Sequence, residues 1–170
     1  MSTRSCIARK TGVDGFSGVY HHWDGYPEGL GATLFKLYRG HFARDLPAML
    51  TYLIDDHPAG WSTINGRNFT PSVDSAGQYC YCHGARSEAA QQITNENASD
   101  YGCEFAYVFD QSTMFVLASM DIDGNSKMVG MFGIGTPSNS VYWKTIGIVD
   151  LDGAEPDWDS MLDAITREST

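Results

Sequence analysis

No run of apolar residues in this 170-residue chain approaches the ~18 needed to cross a membrane as a helix. No cationic stretch followed by an apolar one marks a secretory signal either. Basic side chains are scarce: 11 Lys+Arg stand against 21 Asp+Glu, a formal charge of −10. That balance excludes strong, sequence-independent attraction to nucleic-acid phosphates, which needs clustered cations. Cysteine is sparse at four, so a disulfide-stapled scaffold is excluded and reduced thiols are expected. Apolar residues at 42% and aromatics at 12% are enough to build a core and rule out a disordered chain. The length suits a single domain, residues 1–170, burying roughly 70% of the surface its unfolded chain exposes.

The hydrophobic pattern predicts an α+β fold: a mostly antiparallel sheet, two helices in the N-terminal half, and a C-terminal helix, packed on one side. Thr3–Lys10 and Phe16–Trp23 read as a hairpin turning through Gly12 to Gly15. Leu30, Leu34, Leu37 and Tyr38 recur at helical spacing, which places a helix from about Gly29 to Gly40. A second is expected from Asp45 to Asp56, with Asp45 as N-cap and Pro47 in the first turn. The middle of the chain is less patterned: short strands at Trp61–Ile64 and Gln78–Cys82 and a helical turn or two in Ser87–Thr94 are the expectations. Strands follow at Glu104–Phe109, Thr113–Met120, Met128–Gly133 and Val141–Val149, and Trp158–Thr166 closes the chain as a helix.

Charge is unevenly placed. Residues 1–44 carry a net +3 and the remaining 126 a net −13. Asp150, Asp152, Glu155, Asp157, Asp159 and Asp163 crowd the C-terminal end, either as a solvated face or as a surface that docks a basic partner. Cys80-x-Cys82-His83 resembles a zinc ligand pair, with Cys103 and one of His21 or His22 as possible further ligands. Its one-residue spacing is shorter than the usual two to four, so no metal or other cofactor is expected. Asp121-x-Asp123-Gly-Asn125 lacks the glycine and carboxylate positions of a calcium loop, and a turn at Asp123-Gly124 fits it better.

One stretch is chemically dense: His21-His22-Trp23-Asp24-Gly25-Tyr26-Pro27-Glu28-Gly29-Leu30-Gly31. It falls at a strand–loop–helix corner, where the amides at Gly29–Gly31 favour an anion. The candidate ligand-binding residues are His22, Trp23, Asp24, Tyr26, Glu28 and Gly29: an aromatic ring to stack on a flat ligand, an imidazole to hydrogen-bond, a helix start for an anionic group. Strand alternation puts His21 and Trp23 on one side and Tyr20 and His22 on the other. Two other readings stay open. A histidine oriented by Asp24 or Glu28 could act as a general base, or the acids cap the helix and the rings fill a core edge.

The opening Met1-Ser2-Thr3-Arg4-Ser5 and the box from Tyr20 to Gly31 resemble a family of small uncharacterised proteins of bacteriophages and other bacterial mobile elements. The likeness covers roughly residues 1–40, with a looser echo at Tyr107-Val-Phe-Asp110 and Tyr142-Trp143. It implies no known reaction and carries over no catalytic residue; His22 is the imidazole that matches the box, and the cysteine pair lies outside the pattern. The resemblance implies a non-enzymatic accessory protein of the bacterial cytoplasm that inhibits a host defence complex, as anti-CRISPR proteins do. The alternative is a nucleotide-like ligand binder or hydrolase at the corner, and a virion structural protein is a third possibility.

Overall fold

The computed structural model describes residues 2–64, 79–83, 88–121 and 141–166. Six strands form one sheet in the order β3-β2-β1-β4-β5-β6. Strands β1 (Ser5–Thr11) and β2 (Gly15–His21) make the expected hairpin. Strands β4 (Phe105–Asp110) and β5 (Thr113–Asp121) make another, closed by Gln111-Ser112 with Gln111 at φ 53°, the left-handed twist that two-residue hairpins require. Strand β6 (Val141–Asp150) adds antiparallel to β5, with a register shift between Val116 and Leu117.

The class is α+β, but the sheet is mixed where a mostly antiparallel one was expected. Strand β1 lies parallel to β4, Ser5 opposite Phe105 through Arg9 opposite Phe109. That pairing makes β1 an interior strand, so Ser5, Cys6, Ile7 and Ala8 are all buried instead of alternating. Residues 88–92 form no helical turn, and Ile93–Thr94 instead adds β3 to the edge of β2. Trp61 makes only isolated bridges, parallel to His21 and antiparallel to Cys80. The expected strand Met128–Gly133 and the turn at Asp123-Gly124 lie outside the described residues.

Among the described residues, three α-helices accompany the sheet, besides a short 3-10 turn at Ala98–Tyr101. A π-helical turn, Pro27–Gly31, leads into α1 (Ala32–Arg39). Helix α2 (Leu46–Leu50) begins as expected, the Asp45 carboxylate accepting the Ala48 N–H at 3.1 Å, and continues as a π-helical turn over Thr51–Asp55. Helix α3 is Trp158–Thr166. Buried residues of all three, among them Leu34, Leu37, Met49, Trp158 and Met161, join one cluster with Ile7, Phe105, Tyr107 and Val116 of the sheet. Each such aliphatic side chain contributes about 1.5–3 kcal/mol on leaving water. A second cluster gathers Cys6, Ala8, Phe16, Ile93, Cys103 and Val108. Among the described residues, no helix is long and apolar enough to cross a membrane.

Candidate functional site

The corner after β2 is built around one buried phenol. Tyr107 of β4 donates its hydroxyl to the Gly25 carbonyl at 2.6 Å and accepts the Gly31 N–H. Burial pushes its ionisation far above the ordinary phenol range, so the hydroxyl stays protonated and can do both. The Gly29 N–H goes to the Tyr26 carbonyl, and the Leu30 N–H to those of Asp24 and Tyr26. The three amides expected to receive an anion are therefore satisfied inside the protein. Asp24 takes a left-handed φ of 55°, which turns the chain out of the strand direction.

This turn separates the side chains that alternation would keep together. His21 is fully buried; its Nε2 accepts the Ile64 N–H at 2.9 Å, which leaves the ring proton on Nδ1, 3.5 Å from Ser5 Oγ. Burial, with the neighbouring His22 adding to it, holds this imidazole down to about 3, so it is neutral and structural. Trp23, expected on the same side, is 45% exposed because the strand ends at His21. His22 lies edge-on to the Trp23 ring with centroids 4.7 Å apart, and its Nδ1 is 2.6 Å from the Tyr20 hydroxyl. Asp24 and Glu28 are exposed, while Tyr26 is half-buried against the main core.

The candidate partner-binding acids are all exposed, but they divide by what they touch. Asp152 is held by Arg44 at 2.7 Å and by the Tyr38 hydroxyl at 3.0 Å, and the Arg44 bond first, then the Tyr38 bond, keeps its carboxyl below the usual range. Asp150 accepts the Asp152 N–H, and Glu155 accepts the Trp158 indole N–H at 3.0 Å. The cations of the N-terminal segment thus meet the acids of the rest of the chain within the fold: Arg9 grips Asp55 through two bonds, and Arg39 donates to the carbonyls of Leu151 and Gly153.

Asp157, Asp159 and Asp163 lie at or on α3, with Asp159 and Asp163 one turn apart on the same face. Here the corner and the acidic end converge. Gly31 has no side chain, so the Trp158 ring packs against it; a Cβ there would sit 3.1 Å from both Trp158 and Tyr107. That contact brings the first turn of α3 beside the Pro27–Gly31 turn. The Glu28 carboxyl hydrogen-bonds the Asp159 carboxyl, and this bond, with the Asp159 charge behind it, raises Glu28 above the ordinary carboxyl range. Two acids 131 positions apart in sequence thus face each other on the surface.

Two further features lie outside the 20–31 box. A hollow of about 690 Å³, within the range of small-ligand pockets, is lined by Phe16, Phe115, Tyr142 and Trp143 with Lys10 and Glu96, and includes no residue of the 20–31 box. The other is a cluster of thiols and imidazoles: His57, Cys80 and His83 bring their ligand atoms within 4.8 Å of one another. Cys80 Sγ is 3.2 Å from His83 Nδ1, and Cys82 Sγ accepts the Ala59 N–H at 3.1 Å. His57 is held below the usual imidazole range by burial, with the Tyr52 carbonyl pulling the other way. Cys103 and His21, considered as partners of the cysteine pair, lie elsewhere: Cys103 is in the second core cluster, its thiol pushed up to about 12 by burial, and His21 is bound to Ile64. His57 had no sequence signal, standing 23 residues before Cys80 without a spacing motif.

Comparison with known protein families, with curated proteins and with solved structures finds no match to this chain.

Proposed function

We propose that this chain is a non-enzymatic accessory protein of a phage or prophage that inhibits a bacterial defence complex, docking an acidic face on a basic, nucleic-acid-binding surface of its partner. The observation that carries the reading is the Glu28–Asp159 carboxyl pair. Like charges held together on a surface are relieved by an incoming cation, and Asp157 and Asp163 extend the same field. A lysine or arginine of a partner placed between the two carboxylates gains a charge-assisted bond to each. The choice of a defence complex rests on the resemblance of the opening segment and the Tyr20–Gly31 box to phage and mobile-element proteins.

The experiment is retention of purified bacterial defence complexes on the immobilised protein over rising salt. Retention at low salt that falls as salt rises, and is lost in Glu28→Lys/Asp159→Lys with an unchanged circular dichroism spectrum, supports the reading. Retention indifferent to both refutes it.

A second reading, a small-ligand site at the corner, is favoured by the exposed Trp23 indole packed on His22. A nucleotide present at 100 times its dissociation constant would stabilise the fold by about 2.7 kcal/mol. Persistence of such stabilisation in Trp23→Ala and His22→Ala would place the ligand away from the corner.

A further inference from the structure

The cysteine pair and its two imidazoles belong to neither reading, and their geometry has its own logic. The turn that holds them hangs on the segment after α2. Gly60, at φ +88° in the left-handed region that favours glycine, reverses the chain; its N–H reaches back to the His57 carbonyl and its own carbonyl accepts the Tyr81 N–H. Ser62 N–H bonds the Tyr79 carbonyl, so backbone bonds on both sides of Cys80 fix the cysteine turn against residues 60–62.

His57 is locked from three directions. Its ring packs between Tyr52 and Trp61, with centroids 4.9 and 4.3 Å away, and lies 5.1 Å from that of His83. Its Nδ1 is 2.5 Å from the Tyr52 carbonyl oxygen, which can only accept, so the proton is on Nδ1 and the Nε2 lone pair is left for another partner. This is the outer-shell arrangement that orients metal-binding histidines. Cys82 Sγ accepts the Ala59 N–H at 3.1 Å, which orients the thiol, while burial pushes its ionisation above the ordinary thiol range.

We infer that His57 Nε2, Cys80 Sγ and His83 Nδ1, with Cys82 Sγ as the fourth donor, form a site for a borderline-soft divalent cation, zinc in class, that clips the Cys80–His83 turn to the end of the second helical segment. A tetrahedral zinc sets its donors about 3.3–3.8 Å apart. The Cys80–His83 pair is already at 3.2 Å and the three central donors lie within 4.8 Å, so those three close by small side-chain shifts, while Cys82, which neighbours Cys80 but lies outside that group, turns in to complete the set. Two thiolates and two imidazoles select against magnesium and calcium, which take oxygen donors. A nucleophilic Cys–His pair fits less well, because Cys80 is 1% exposed and no substrate reaches its sulfur. On binding, both thiols lose their protons to solvent and no oxidant or reductant is required.

The test is metal stoichiometry and cobalt(II) spectroscopy on the full chain kept reduced with a phosphine. One zinc per chain is expected, with cobalt giving thiolate-to-metal charge transfer and the d–d bands of a tetrahedral site. Cys82→Ser should lower the charge-transfer intensity by about half, as one of two thiolates is lost. His83→Asn, at an exposed position where folding is not at stake, should weaken zinc binding by more than the roughly 100-fold seen for loss of an outer-shell partner. Cys103→Ser should change neither. Less than about a tenth of a zinc per chain in the wild type would overturn the inference, since a built site of this donor set saturates under such conditions. Equal zinc affinity in wild type, Cys80→Ser and His83→Asn would overturn it as well.

Discussion

Removing a single buried oxygen, in Tyr107→Phe, tests how the corner is held. The hydroxyl is fully buried and serves two partners, the Gly25 carbonyl at 2.6 Å and the Gly31 N–H. Phenylalanine keeps the ring and its packing but leaves both backbone groups without their bond. A buried polar group left unsatisfied costs about 1–3 kcal/mol. Allowing for partial rearrangement, the variant should lose about 2–4 kcal/mol, a large share of a total stability of about 5–15 kcal/mol. For a domain of this size that lowers Tm by about 5–15 °C. Urea denaturation followed by circular dichroism is the assay, with an unchanged m-value as the condition that the loss is one of native stability. A loss below about 0.5 kcal/mol would refute the reasoning, because the two glycine peptides would then be satisfied without the phenol.

Other expectations follow from neighbouring residues. His21 is held down to about 3 in the fold against an ordinary value near 6.5, so its contribution is intact above 6.5 and is lost as pH falls toward 3, where only the unfolded chain takes the proton. Between pH 6 and 4 the wild type should therefore lose roughly 1.4 kcal/mol per pH unit more than His21→Gln. Glu104, pushed up to about 7 by burial, titrates in both proteins, and the difference between them isolates His21. A difference independent of pH would contradict the buried neutral imidazole. Gly31→Ala adds a methyl 3.1 Å from the Trp158 and Tyr107 rings and should cost about 1–3 kcal/mol in the same urea titration. A neutral effect would mean that α3 does not rest on that glycine.

What the sequence made legible was the periodic part of the chain. The β4 and β5 runs, the terminal strand and the Trp158 helix lie within one or two residues of their expected bounds, because a half-buried strand or helix writes its period into its side chains. The parallel β1–β4 pairing was hidden, since Ser5–Ala8 is buried throughout and the partner of a strand is set by the chain path and not by its own pattern. Strand β3 is two residues long and has no period to read. At the corner, alternation failed after His21 because Asp24 leaves the strand conformation, which sends Trp23 to solvent. Glu28 and Asp159 were each singled out from sequence, but for different partners. Their meeting depends on Trp158 resting on Gly31, a contact between segments that no local spacing encodes. His57 was missed for the same reason.

The claim on which the functional account stands is that the corner and the α3 acids form one like-charged surface. Titration of the Glu28 side-chain carboxyl by carbon-detected NMR, in the wild type and in Asp159→Asn, measures it directly. The account predicts that Glu28 holds its proton to higher pH than an ordinary glutamate in the wild type and returns toward the ordinary range once the Asp159 charge is removed. Superimposable titrations in the two proteins would show that the carboxyls do not meet, and the proposed docking face would lose its centre.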